Sequence, residues 1–144
     1  MKDENPDLLA QACAESMYER DTAAREAGIT LEEVRAGYAH LRMTVRAGML
    51  NGHDVCHGGY LFLLADTAFA YACNSYNQVA FAQNCDIDFV QSGKENDELE
   101  AIAEERRKGT RSGLYDVVVR RRDGEVLAHF RGRSLQIKEA VIRE

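Results

Sequence analysis

The amino-acid sequence predicts an α+β fold in which a curved antiparallel β-sheet wraps around a long central α-helix, with an extra helix at the N-terminus. Three observations predict it. The run Tyr60 to Ala72 is small or apolar on nearly every side, which marks a buried helix. An alternating segment precedes it and about four extended segments follow, the last two joined by Asp123-Gly124, a strong two-residue hairpin signal. A helix apolar on all sides needs a sheet curled around it, because a flat sheet covers only one face.

The elements follow in order. Asn5 and Pro6 make an N-cap and first-turn pair, and Leu9, Cys13, Met17 and Arg20 recur at helical spacing, so a first helix is expected from about Pro6 to Ala24. Thr30 and Glu33 have capping-box spacing, yet Gly37 soon follows. From Tyr38 the chain alternates, with Ala39, Leu41, Met43 and Val45 on one face and His40, Arg42 and Thr44 on the other, which reads as a half-buried strand ending near Arg46. After a Gly-rich turn the central helix runs to between Asn74 and Asn77. Extended segments are then expected at roughly Val79 to Val90, Asp97 to Arg107, Gly113 to Arg122 and Glu125 to Ile137. A two-residue loop at Asp123 and Gly124 sets Arg122 opposite Glu125, and counting outward puts Val117 against Phe130 and Asp116 against Arg131, all favourable cross-strand partners. We read one domain over residues 1–144, with 1–29 as a helical extension and 30–138 as the core.

Composition narrows the function. A formal net charge of −6 argues against a general binder of nucleic acid or of anionic membrane. The charge is uneven, however. Residues 84–105 carry eight acids against Lys94 alone, whereas 106–133 carry nine Lys/Arg against Asp116, Asp123 and Glu125. The second block can face a compact anionic ligand. The start MKDENPDLLA lacks the order of a signal peptide, and the apolar stretch Leu61 to Cys73 is too short to span a membrane and is interrupted by Asp66, so a soluble cytoplasmic protein is expected. Cys13, Cys56, Cys73 and Cys85 lack metal-type spacing and read as free thiols.

The chemistry concentrates between Asn51 and Asp66, in NGHDVCHGGYLFLLAD. Gly58 sits where the helix should begin, so its N–H and the positive end of the helix dipole can meet a carbonyl oxygen. The bland alternative is a glycine that only makes the turn or lets helix pack on strand. Asp66 lies about two turns further in, between Leu63, Leu64, Ala65 and Ala68, where a carboxylate costs several kcal/mol unless paired. It is read as a catalytic acid or base, against a structural acid held by Thr67 or one facing water. Asn51-Gly52 can be a tight turn, His57 a helix cap, and Thr67 either a water-orienting hydroxyl or a donor to its own helix. His53, Asp54, Cys56 and His57 crowd into one turn with no second ligand set elsewhere, so no metal is assigned.

These residues carry a resemblance. The stretch MLNGHDVCHGGYLFLLADTAFAYACNSYN, Met49 to Asn77, is similar to the helix signature of hotdog-fold acyl-CoA thioesterases, and most closely resembles the PaaI-type enzymes of phenylacetic acid degradation. CDIDF (Cys85 to Phe89), GLYDV (Gly113 to Val117) and FRGRS (Phe130 to Ser134) extend it over roughly residues 30–138. The resemblance implies a hotdog fold and hydrolysis of an acyl-CoA, such as (hydroxy)phenylacetyl-CoA or a similar aryl-acyl-CoA, to a free acid and coenzyme A. It assigns Asp66 as general base or nucleophile, Gly58 as oxyanion donor, Asn51 and His57 as groups that position water or carbonyl, and Thr67 as an orienting hydroxyl. No cofactor is implied, because coenzyme A is part of the substrate. Some related enzymes place a serine on the strand after the helix, where this chain has Ala82, near Gln83 and Asn84. Arg106, Lys108, Arg111, Arg131 and Arg133, with Arg107, suit the phosphates of coenzyme A, although each can equally be a solvated strand-edge charge.

Geometry adds a constraint. Gly58 and Asp66 are eight residues apart, or about 12 Å along a helix, so they cannot both touch one thioester carbon. Unless the helix breaks, a site must take Gly58 from one subunit and Asp66 from another. A homodimer with shared active sites is therefore expected; a homotetramer, as a dimer of such dimers, is a further expectation that the geometry does not decide. Two other classes stay open: a hotdog acyl-CoA hydratase or dehydratase, and a non-catalytic acyl-CoA-binding protein. Neither accounts well for Asp66.

Overall fold

A computed structural model describes residues 5–143. It contains, in order, α1 (Pro6–Glu19), α2 (Thr22–Glu26), β1 (Thr30–Arg35), β2 (Tyr38–Thr44), a short 3-10 turn at Ala47–Met49, α3 (Gly58–Cys73), β3 (Ala80–Phe89), β4 (Glu98–Lys108), β5 (Ser112–Arg121) and β6 (Val126–Gln136). The strands form one six-stranded antiparallel sheet in the order β1-β2-β4-β5-β6-β3. Helix α3 lies across its inner face. No helix among the described residues is long and apolar enough to cross a membrane.

The expected single N-terminal helix to Ala24 is two helices. Asn5 caps α1 through its side chain, as expected, but the helix stops at Glu19 and Asp21 caps a new one by accepting from the Ala24 N–H at 3.1 Å. Asp is a poor interior residue and a good cap, so the chain restarts there. The Thr30 and Glu33 pair is not a helix start but part of β1, which turns back through Gly37 (φ +72°) into β2. This strand brings the sheet to six. A bulge between Leu31 and Glu33 breaks the alternation that would have announced it.

The hairpin between β5 and β6 follows the expected register away from its turn, with Val117 against Phe130 and Asp116 against Arg131. At the turn itself it differs. Arg121, not Arg122, pairs with Glu125, its N–H donating to the Glu125 carbonyl at 2.8 Å, and the loop is one residue longer, with Gly124 at φ +103°. A one-residue shift between Val119 and Arg120 absorbs the difference and buries both Leu127 and Ala128.

The core lies between α3 and the sheet. Leu61, Leu64, Ala65, Ala68, Phe69, Tyr71 and Ala72 of the helix meet Leu41, Met43, Leu99, Tyr115, Val117, Val119, Leu127 and Phe130 of the strands. Each large side chain removed from water contributes roughly 1.5–3 kcal/mol. Small residues set the approach: a Cβ on Gly132 of β6 would lie 2.7 Å from the Phe69 ring, so that ring requires glycine beneath it. One stripe of α3 stays uncovered. Gly59 is exposed, and Phe62, Leu63, Asp66 and Ala70 are only half-buried, so the helix is not enclosed on every side and Asp66 sits on its open flank.

Candidate active site

The mouth of α3 is assembled by the turn before it. The Asn51 side-chain oxygen accepts from the N–H groups of His53 (2.8 Å) and Val55 (3.3 Å), and its own N–H donates to the Val55 carbonyl (2.8 Å), so Asn51 ties the turn together. Its amide NH2 has no partner among the described residues and remains available to a ligand. His57 is the N-cap: Nδ1 accepts from the Gly59 N–H at 2.8 Å, and its carbonyl accepts from Tyr60 at 2.9 Å. In the neutral ring this leaves the proton on Nε2. The capping reading of His57 is therefore correct, and the exposed imidazole edge is still free to donate.

This capping has one consequence for chemistry. With Gly59 and Tyr60 satisfied, the Gly58 N–H is left without a partner among the described residues, at the positive end of a 16-residue helix. A free backbone N–H in this position is chemically able to donate to an oxygen that gains negative charge. A Cβ at Gly58 would fall 3.1 Å from the tip of the Phe89 ring on β3, so glycine here is a matter of space as well as of turn geometry.

Asp66 is the second pole. Its carboxylate makes no hydrogen bond or ion pair among the described residues, and burial raises it above the ordinary carboxylate range. Burial, reinforced by the Asp66 charge, pushes the Cys73 thiol up to about 12 and raises Cys85 as well. A half-buried carboxylate without a partner costs stability and gains nothing structural in return. Thr67 does not hold it: the Thr67 hydroxyl donates to the Leu63 carbonyl at 2.6 Å, so of its two readings the structure supports bonding within the helix.

Helix α3 is unbroken from Gly58 to Cys73, which keeps the free N–H and the free carboxylate about 12 Å apart. Within one chain they do not meet. Strand β3 runs beside the helix in the opposite direction, with Phe89 at Gly58 and the Ala80 N–H and carbonyl bonded to the Asn74 side chain (2.9 and 3.0 Å). Ala82 pairs with buried Ser134 and Asn84 with exposed Arg133, so the register skips Gln83 and β3 shows the helix side two consecutive residues, Ala82 and Gln83.

The basic residues divide. Arg106 and Arg131 both bind Asp116, at 2.9 Å and at 2.6 and 3.0 Å, and Arg106 also approaches Glu104 (3.5 Å). They line an open groove of about 530 Å³ on the outer face of the sheet together with Asp86, Asp88 and His129, and the acids cancel them as an anion site. Lys108 rests 4.8 Å over the Tyr76 ring. Arg107, Arg111 and Arg133 are exposed and make no ion pair among the described residues. No group of three or more His, Cys, Asp or Glu among those residues is placed to hold a metal. Sequence reasoning missed Phe89 and the open edge of β3; the pattern DIDF, with apolar residues between acids on a strand that ends exposed, was the available signal.

A sheet wrapped on one helix, with a free amide at its mouth and a free acid on its flank, is the equipment of a hydrolase acting on a carbonyl. Comparison with known proteins agrees. Residues 53–128 match the family model described as the thioesterase superfamily. The chain is 46% identical over 131 residues to the acyl-coenzyme A thioesterase PaaI of Escherichia coli, covering 91% of this chain and 94% of that protein. The structure of E. coli PaaI superposes with a TM-score of 0.92 at 45% identity, over 93% of this chain and 97% of that one. A variant of the phenylacetic acid degradation protein PaaI from Thermus thermophilus superposes at 0.77 with 31% identity, over 80% and 98%. This chain belongs to the thioesterase superfamily, as a PaaI-type acyl-CoA thioesterase of the hotdog fold.

Proposed function

We propose that this PaaI-type acyl-CoA thioesterase hydrolyses an aryl-acyl-CoA, with (hydroxy)phenylacetyl-CoA as the model substrate, at two sites shared between the subunits of a homodimer. One observation carries the reading: an unpartnered Gly58 N–H and an unpartnered Asp66 carboxylate stand about 12 Å apart on one unbroken helix. Two such helices packed antiparallel about a two-fold axis bring each amide to the other chain's acid. The half-open stripe of α3 and the exposed edge of β3 supply the surface.

In each site the thioester oxygen accepts from the Gly58 N–H, where the helix dipole stabilises the negative charge that develops on it. Asp66 of the opposite subunit removes a proton from the attacking water, or attacks the carbonyl itself to give an anhydride that water then opens. Either route breaks the C–S bond and releases free acid and coenzyme A thiol. Asn51, through its unused amide, and His57, through Nε2–H, hold the carbonyl or the water. Arg107, Arg111 and Arg133 are the cations open to the coenzyme A phosphates; Arg106 and Arg131 serve the sheet instead. The four cysteines are free thiols, in keeping with a cytoplasmic enzyme, and pairing of dimers into a tetramer completes the expected assembly.

The test is thiol release across a panel of acyl-CoAs by the wild type and by Asp66→Asn. An arylacetyl-CoA is expected to be the best substrate, and the variant to lose at least about 10²-fold in kcat. Near wild-type kcat in Asp66→Asn removes the assignment.

A further inference from the structure

The ring of Phe89 is the aromatic group that touches Gly58 at the mouth of α3. Phe89 pairs in register with buried Ala128, so its side chain lies on the helix side of the sheet. The tip of the ring reaches the space above Gly58, with Cζ 3.1 Å and Cε1 3.2 Å from the position a Cβ would take. Yet 54% of the residue is exposed. The contact therefore uses the end of the ring and leaves its faces open, beside an N–H with no other partner among the described residues. Packing of the core does not explain it, since Phe62, Phe69, Phe130 and Tyr115 form their own aromatic cluster.

A carbonyl oxygen bonded to Gly58 fixes where the acyl group begins. In an arylacetyl thioester a single methylene separates the carbonyl carbon from the ring, so the ring centre lies about 4 Å from that carbon. On so short a tether the ring can come to the side of a Phe89 ring that touches Gly58, at the separation at which two aromatic rings pack edge-to-face or offset, about 4.5–7 Å between centroids. We propose that Phe89 is a specificity-determining residue, the aromatic wall that selects an acyl group carrying its ring one methylene from the thioester. The inference rests on the reading above that the Gly58 amide receives the thioester oxygen. A longer aliphatic chain passes the wall without a ring to offer it, and an aroyl group, with no methylene, holds its ring too close to the carbonyl to turn against it.

The experiment compares kcat/KM for phenylacetyl-CoA with that for hexanoyl-CoA in the wild type, Phe89→Leu and Phe89→Tyr, with assembly checked by sedimentation. Leucine keeps an apolar strand residue and removes the ring; tyrosine keeps the ring. The phenylacetyl-to-hexanoyl ratio is expected to fall about tenfold in Phe89→Leu and to hold within about twofold in Phe89→Tyr. A ratio unchanged in Phe89→Leu, or both substrates falling together, overturns the proposal while leaving the arylacetyl reading intact. A wild type that turns over no arylacetyl-CoA overturns that reading, and this inference with it. If Phe89→Leu loses turnover altogether, calorimetric affinities for non-hydrolysable thioether analogues of the two substrates give the same ratio, and a ratio equal to that of the wild type overturns the proposal in the same way.

Discussion

The two edges of the sheet are finished in opposite ways. Strand β1 is six residues long, carries a bulge, packs against α1 and presents Glu32, Glu33 and Arg35, with Arg35 paired to Glu33 at 2.6 Å and Arg42 to Glu32 at 3.7 Å. Strand β3 is ten residues long, has no element across its outer edge among the described residues, and leaves Phe81 61% and Phe89 54% exposed. Natural edges are blunted by shortness, charge, bulges or a covering helix. The first edge uses all four devices; the second has a bulge at Gln83 and the exposed acids Asp86 and Asp88, but neither shortness nor a covering element among the described residues. The difference leaves β3 as the edge open to a partner, which is where the proposed dimer needs one. The proposed shared sites use that opening: they pair the Gly58 N–H at the start of α3 and the Asp66 carboxylate on its flank with the partner's groups across the β3 side.

The strongest way to break this comparison is to give β3 the protection of β1. Phe81→Lys should dissociate the dimer in sedimentation and lower kcat/KM by at least about 10²-fold, because a lone subunit holds no complete site. The change Thr30→Lys, at an exposed position of β1, should leave both assembly and activity near wild type. A fully active Phe81→Lys monomer would contradict the shared-site reading.

A smaller effect sharpens the electrostatics of the β3 side. Burial raises Asp66 in the folded chain, so the folded state favours the protonated acid. The stability penalty is absent below the unfolded carboxylate value, grows as pH rises from there to the folded one, and is full above it. Asp66→Asn should therefore raise Tm by a few degrees at neutral pH, with the gain vanishing in acid, in thermal scans at several pH values. The acid limb of wild-type kcat/KM should lie above the ordinary carboxylate range. An asparagine variant less stable at neutral pH would assign Asp66 a structural partner instead.

Much of the molecule is legible in the sequence where local pattern and global fold agree. The apolar run of α3 declares its burial, and Gly58 and Asp66 declare themselves by standing where a backbone amide is exposed and where a carboxylate is costly. The register of Val117 on Phe130 and Asp116 on Arg131 follows from the Asp-Gly turn, even though the turn is a residue longer than expected. What stays hidden depends on competition between neighbours. Asp21 is helical by periodicity but gains more as a cap, and Leu31 and Val34 are spaced three apart because a bulge intervenes in a strand. Arg131 reads in the sequence both as the partner of Asp116 and as a ligand for coenzyme A, and only the bidentate contact shows that the first role takes up its donors. The open stripe of Gly59, Phe62, Leu63, Asp66 and Ala70 is illegible for a different reason: apolar residues left half-open on a helix look the same in the sequence as those enclosed by the core.

The most direct test of the shared site removes one half from each of two chains. Gly58→Pro deletes the Gly58 N–H at a first helical position, after a His57 already extended (ψ 134°), as a residue preceding proline must be, and Gly58→Ala, which brings the same Cβ against the Phe89 ring but keeps the N–H, is its control. Each of Gly58→Pro and Asp66→Asn alone should be inactive. In verified heterodimers of the two, one site combines both defects and the other is intact, so about half of wild-type activity should return. Heterodimers with no recovered activity would contradict the account and return both groups to a single chain.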